Sequence, residues 1–546
     1  MRLHKGRAFG LIIIIILQLY MQGCSARSPW EDRTAPDQEV TEAAGEAEET
    51  ESYTEDAMKI IAEADMPETA SGEGGEEAVR EEIVIPEDIP GPERITVSEA
   101  GIHEECLALI DRIIEKDVEN GFPGAQLAIM RDGKLVYENA WGSTNAYYPD
   151  GSRKEDSPPA TIDTMYDLAS ITKMIGVNYA VQKLVTEGRL GIEDKVSDHM
   201  GERFYEDVIY LDYVKGEESD LNTQKEWKKT MTIRDLLTHK AGFPADPHYC
   251  HIDYNAETQE YEDDAVNPLY AGCGADKETR DNTIESICRT PLLHAPGNGT
   301  LYSDVDYMLL GVIVEQITGK DLDTYLKETF CVPMGLARLT YEPLKHGFQP
   351  SDCAATELNG NTRDGGIYFD GIRTETLQGE VHDENAYYCM AGVSGHAGLF
   401  GSATDLARIA DIMLTGRHGD TEFFSEEVIR LFTGAESTTN RNWGLGWWRQ
   451  GDMQRTKYFG TKAGENTFGH QGWTGTLIMV DPDKKIVIAY LTNKINSPVN
   501  KKNLNKFTGS TYTSASLGFV PDIIYTGLDK EVDAEALLEG GKWYVQ

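Results

Sequence analysis

Gly124-Ala125-Gln126-Leu127-Ala128-Ile129-Met130-Arg131-Asp132-Gly133-Lys134-Leu135-Val136-Tyr137 reads as two strands joined at a tight turn. Ala125–Ile129 and Lys134–Tyr137 are apolar-rich runs, and Asp132-Gly133 between them is a turn pair that accepts the positive φ a hairpin demands. Just upstream, Leu107, Leu109, Ile110, Ile113 and Ile114 fall on one face of a helix over Cys106 to Asn120. Strand signals return only near the end, where Thr476–Val480 and Ile486–Leu491 flank Asp481-Pro482-Asp483-Lys484 as a second hairpin. From Thr161 to Gly444 the pattern is mostly helical, as in Tyr307–Thr318 and in Asp405–Leu414 with Thr404 as candidate N-cap. Ser516–Leu528 is a last amphipathic stretch in which Pro521 limits the helix start. The expected fold is therefore α/β (α+β): the two ends of the domain build one antiparallel sheet flanked by helices, and a large helical region is inserted between them. The polar, acidic stretches Glu217–Trp227 and His251–Asn282 read as surface loop insertions.

The chain has 546 residues, with 50 Lys plus Arg against 92 Asp plus Glu, for a formal charge of −42. A hydrophobic content of 40% supports a real core and excludes wholesale disorder. Charge of this sign with no basic stripe repels phosphate backbones, so no nucleic-acid partner is expected. Part of the excess is local: Ser25 to Arg94 holds 22 acidic residues against Arg27, Arg33, Lys59, Arg80 and Arg94. Runs such as Glu46-Ala47-Glu48-Glu49-Thr50-Glu51 bury too little apolar surface to offset chain entropy, and the segment reads as a disordered tether.

Ahead of the tether, Arg2, Lys5 and Arg7 precede an apolar run from Ala8 to Tyr20, the pattern of an export signal. As a helix that run reaches only ~20 Å, short of the ~30 Å hydrocarbon core. It ends in Met21-Gln22-Gly23-Cys24, which resembles a bacterial lipoprotein box. Lipidation of Cys24, an uncleaved anchor and ordinary cleavage all fit, and each puts the folded part outside the cytoplasm. The expected organisation is a leader over 1–24, an acidic linker over 25–95, a catalytic domain over 96–530 and a tail over 531–546. Seven further cysteines form an odd set, with one staple plausible among Cys250, Cys273 and Cys288. His248-Tyr249-Cys250-His251 lacks a second spaced ligand pair, so neither a metal nor a cofactor is expected.

Acyl transfer needs a nucleophile, a base, oxyanion donors and a substrate-recognition group. Ser170-Ile171-Thr172-Lys173 supplies the first two one helical turn apart, and a lysine buried there would lose solvation and lower its pKa. By itself SxxK is a weak signal. Tyr302-Ser303-Asp304 ahead of a helix and His470-Gln471-Gly472 ahead of a strand complete an ordered set.

Together the three resemble the SxxK, YxN and KTG elements of the penicillin-recognising serine hydrolases, the class C β-lactamase-related family. Leu236–Pro247, Ala355–Gly365 and Val393–Phe400 narrow the resemblance to its D-alanyl-D-alanine carboxypeptidase branch, over about Gly101 to Val520. The resemblance implies a β-lactamase/D,D-peptidase-like fold, a peptidoglycan peptide as substrate and β-lactams as acylating ligands. It also implies Ser170 as nucleophile, Lys173 and Tyr302 as proton carriers, and the backbone N–H groups of Ser170 and of Trp473, after Gly472, as oxyanion donors. Two positions depart from the pattern. His470 replaces the usual lysine and is mostly neutral at pH 7 unless a carboxylate raises it. Asp304 replaces the usual asparagine, and a carboxylate beside Lys173 would favour the charged amine and shift the base role toward Tyr302.

Gly392-Val393-Ser394-Gly395-His396 fails the last position of a G-x-S-x-G elbow, so Ser394 reads as a turn residue. His239, His382 and His396 read as structural or supporting. A β-lactamase or esterase on the same scaffold needs the same acylation apparatus and stays open as an alternative. A low-turnover binding sensor is disfavoured by the intact Ser170, Lys173 and Tyr302.

Overall fold

The computed structural model describes residues 85–528 apart from 87–88, 263–264 and 439. The leader with Cys24, most of the acidic linker and the tail lie outside the described residues. Helix α1 (Glu104–Glu119) leads into strands β1 (Gly124–Arg131) and β2 (Lys134–Gly142). The inserted block carries α2 (Tyr179–Thr186), α3 (Asp304–Thr318) and α4 (Ala403–Thr415) among shorter helices. Strands β3 (Trp448–Arg449), β4 (Phe468–Gly472), β5 (Thr476–Asp481) and β6 (Ile486–Thr492) and helix α5 (Phe519–Gly527) close the chain. The six strands form one antiparallel sheet in the order β3-β4-β5-β6-β1-β2. Asp132 and Gly133 both take positive φ, 49° and 76°, as the β1–β2 turn requires.

The sheet is buried on both faces, and period-two alternation sorts its side chains. Ala128, Met130, Ile478, Val480, Val487, Ala489 and Leu491 join the core shared with the helical block, including α4. Leu127, Ile129, Leu477, Met479, Ile488 and Tyr490 join a second core with α1 and α5. Residues 93–95, assigned from sequence to the linker, are already hydrogen-bonded to Leu135 of β2. Among the described residues no helix is long and apolar enough to cross a membrane.

Several local expectations change. Glu217–Trp227 is not all loop: Asp220 caps a helix over Leu221–Thr230, accepting the Thr223 N–H at 2.7 Å. Its apolar periodicity is missing because the residues it buries are Gln224 and Lys228. His251–Asn282 contains a two-stranded ribbon, Tyr254–Asn255 with Glu260–Tyr261, and the start of a helix over Lys277–Arg289. Ser402, not Thr404, caps α4, accepting the Asp405 N–H at 3.2 Å. All seven described cysteines are thiols, so the staple expected among Cys250, Cys273 and Cys288 is not formed. Cys250 instead shares a hydrogen bond with Cys389.

Candidate active site

The backbone is sharply bent just before Ser170. Ala169 has φ 47°, a left-handed conformation that costs a non-glycine residue on the order of 1 kcal/mol. It is held there from both sides. The buried Asp167 carboxyl accepts the Ala169 N–H at 2.8 Å and the His382 N–H at 2.7 Å, and the Thr474 hydroxyl donates to the Asp167 carbonyl at 2.8 Å. One 3-10 turn, Ala169–Ile171, then a π-helical stretch, Lys173–Asn178, lead into α2. Such π segments are uncommon and concentrate at functional sites.

The bend presents Ser170 Oγ to Lys173 Nζ at 3.1 Å. Lys173 is fully buried, and its ammonium also donates to the His396 carbonyl at 3.1 Å and pairs with Asp304 Oδ1 at 2.6 Å. The Tyr302 hydroxyl is hydrogen-bonded to both Ser170 and Lys173, and Lys173 Nζ lies 4.9 Å from the Tyr302 ring centre. Burial works to lower the Lys173 pKa, as the sequence led us to expect, but Asp304 and Tyr302 outweigh it and hold the amine above its ordinary value. Burial raises the Tyr302 phenol, with Lys173 opposing and Asp304 adding to the rise.

His470 lies on β4, a strand absent from the sequence reading because its short run is interrupted by Gly469 and Gly472. The ring is wholly buried, 4.7 Å from Trp448 and 6.1 Å from Tyr302, and its Nδ1–H donates to the Gln471 carbonyl at 2.7 Å. Burial, then Lys173, push its pKa down to about 3, so His470 is neutral and offers no cation to a substrate carboxylate. Gly472 packs against the Leu168 carbonyl, where a Cβ would collide. This close approach brings the chain just before Trp473 against Leu168 and Ala169, the bend that leads into Ser170, while the indole stacks on His382 at 4.9 Å. Among the described residues no acceptor engages the backbone N–H of Ser170 or of Trp473.

The structure gives His396 and Ser394 a supporting role and adds Asp383 and Asp246, which lie outside the three motifs. His396 Nδ1 meets Ser394 Oγ at 2.8 Å and its Nε2 meets the half-buried Asp383 at Oδ1, 2.7 Å away, so the loop whose carbonyl holds Lys173 is pinned by a three-residue relay. Burial works to raise the Asp383 carboxyl, but His396 and a backbone N–H keep it below the usual carboxylate range. Asp246, raised by burial and by Asp304, Asp383 and Glu384, completes an acidic wall. Asp304, Asp383 and His396 bring ligand-type atoms within 4.8 Å of one another, a spacing at which the Lys173 ammonium already serves Asp304 as counter-ion. His248 and His251, by contrast, pack among Tyr254, Tyr261 and Phe369 as an aromatic cluster. Only their spatial neighbours identify the His396 and Asp383 roles; no spacing in the sequence carries them.

The Beta-lactamase family model matches residues 110–512. A relative from Escherichia coli (strain K12) named "Putative D-alanyl-D-alanine carboxypeptidase" is 42% identical over 436 residues, covering 79% of this chain and 93% of its own length. A Salmonella typhimurium relative of the same name is 39% identical over 434 residues, again covering 79% and 93%. Among solved structures, EstCE1, "a hydrolase with promiscuous acyltransferase activity", aligns with TM-score 0.53 at 20% identity over 78% of this chain and 98% of its own. A penicillin-binding protein homolog from Caulobacter crescentus gives 0.51 at 18%, over 78% and 98%. With the mixed helical and antiparallel architecture above, these matches make the chain a member of the beta-lactamase family, a serine hydrolase on the fold shared with penicillin-binding proteins.

Proposed function

We propose that the protein is a serine-type D-alanyl-D-alanine carboxypeptidase that acts on peptidoglycan peptides through an acyl-enzyme on Ser170. The observation that carries this reading is Ser170 Oγ held between Lys173 Nζ and the Tyr302 hydroxyl. Once the Lys173–Tyr302 pair has lost one proton, it accepts the Ser170 proton as Oγ adds to the D-Ala carbonyl. The Ser170 and Trp473 N–H groups take the oxyanion. The C–N bond then breaks as Tyr302 returns a proton to the departing D-Ala amine, and water, deprotonated by the same pair, cleaves the ester. β-Lactams would acylate the same hydroxyl.

The neutral His470 favours a second reading, an esterase or β-lactamase that does not need a free substrate carboxylate. Purified protein incubated with a peptide ending in D-Ala-D-Ala, a chromogenic β-lactam and a short-chain ester separates the two. D-Ala release supports the carboxypeptidase; rapid β-lactam or ester turnover without it overturns that reading. The leader sequence further supports export and membrane anchoring, with lipid on Cys24. Radiolabelled palmitate incorporated into the wild type and not into Cys24→Ala is the expected result.

A further inference from the structure

His239 touches three successive residues, Leu301, Tyr302 and Ser303, on the approach to Asp304. Its carbonyl accepts the Leu301 N–H at 2.9 Å, its Nδ1 receives the Ser303 N–H at 3.2 Å, and its ring lies 4.4 Å from the Tyr302 ring at 37°. Tyr307 at 5.3 Å and Trp443 at 5.8 Å close the other sides. His239 has φ 55°, a conformation outside the ordinary range for its type, so the chain is bent to put the ring there.

Two groups face the single lone pair of Nδ1, the Ser303 N–H at 3.2 Å and Asp306 Oδ2 at 2.9 Å. The assignment that keeps Nδ1 an acceptor for Ser303 leaves it without hydrogen and shares its lone pair with the O–H of a protonated Asp306 carboxyl. Both groups are buried, and the charged groups around them agree. Burial, then Asp235 from the neighbouring helix and Asp304 from the start of α3, raise the Asp306 carboxyl well above its ordinary value, with Lys173 opposing. Burial, then Lys173 and His470, push His239 well below its own.

We propose that His239, held as a neutral imidazole by a protonated Asp306, is the positioning residue that sets the Tyr302 ring against Ser170 and Lys173. An uncharged pair suits this place: an imidazolium would repel the Lys173 ammonium, and an ionised Asp306 would add a second anion behind Asp304. The inference rests on Tyr302 being the proton carrier of the proposed reaction.

The test measures acylation by a chromogenic β-lactam against pH for four variants and the wild type, with melting temperatures alongside. His239→Asn tolerates the left-handed backbone and keeps an acceptor for Ser303 but removes the ring. Acylation should slow about 100-fold, the lower end of the range for a general acid–base group. The half-saturating concentration should stay within about threefold and the apparent pKa should fall, because water reaches a phenol that burial had raised. Asp306→Ala should be slowed, and Asp306→Asn, whose amide N–H replaces the carboxyl O–H, should restore the rate to within about threefold of wild type. Asp306→Asn as slow as Asp306→Ala, or His239→Asn with wild-type rate and profile, overturns the inference. A loss in His239→Asn that only tracks a fallen melting temperature, with an unmoved profile, also overturns it. Tyr302→Phe separates the two claims: if it acylates at the wild-type rate, the reading of Tyr302 itself has failed.

Discussion

Lys173 Nζ and Asp304 Oδ1 lie 2.6 Å apart, and with Ser170 Oγ, the His396 carbonyl and the Tyr302 hydroxyl also against it, the ammonium has four partners for its three N–H donors. A lysine donating all three has no lone pair for the Ser170 proton. The resting site is therefore one proton above its working state, and the Lys173–Tyr302 pair has to titrate as a unit before Ser170 can attack.

Asp304→Asn follows directly. The carboxylate raises both Lys173 and Tyr302, so removing it lowers the pKa at which the pair gives up its proton. The rising limb of kcat/KM against pH should move to lower pH by about one unit or more, and acylation at neutral pH should stay within about tenfold of wild type. A loss as deep as that of Ser170→Ala would show that the carboxylate itself is required.

His470 should be silent in the pH profile. With its pKa pushed down to about 3 it carries no proton to lose between pH 5 and 8. His470→Gln is expected to leave the positions of the limbs in that interval unchanged in a steady-state profile. Loss of a limb near pH 6 would mean that the ring is protonated in the working enzyme.

Gly472→Ala tests the close approach of β4 to the bend at Ser170. The added methyl would collide with the Leu168 carbonyl and the Thr476 hydroxyl and sit 3.2 Å from Ala169 Cβ. Pushing the strand away separates the Ser170 and Trp473 N–H groups, and stopped-flow acylation should fall about 100-fold, the usual loss for an oxyanion donor. Acylation at full speed would place the donors elsewhere.

Four of the six strands, β1, β2, β5 and β6, were legible because they are apolar and alternate cleanly between two cores, with the Asp132-Gly133 turn fixing the first hairpin; the short β3 and the glycine-interrupted β4 were not. Ser170 and Lys173 stand out in the sequence as SxxK, and Tyr302 only through the resemblance that the three motifs carry together. The helix over Leu221–Thr230 was not legible, since it buries Gln224 and Lys228 where a periodicity argument looks for leucine. Nor was the protonation state of the site. Lys173 and His470 are both fully buried, yet one is raised and the other lowered, because only Lys173 has a carboxylate against it.

Lys228 gives a prediction about stability. Its ammonium is buried between the Phe204 and Phe243 rings, 2.5 Å from the Cys288 carbonyl, and burial pushes its pKa down to about 7. The unfolded lysine keeps its proton to about pH 10. Between these values the unfolded chain binds more protons, so this residue makes stability rise with pH above 7; below 7 both states are charged and its contribution is flat. Lys228→Met should remove that rise in urea midpoints compared at pH 6, 8 and 9.5. An identical pH dependence in both proteins would contradict the depressed pKa.

Rapid-quench mass spectrometry with a peptide ending in D-Ala-D-Ala decides whether the reaction passes through an acyl-enzyme on Ser170. One equivalent of D-Ala should be released in the first turnover, with the matching acyl mass on the proteolytic fragment that contains Ser170 and none in Ser170→Ala. D-Ala release by Ser170→Ala at the wild-type rate, or the adduct on another residue such as Ser394, would contradict an acyl-enzyme on Ser170.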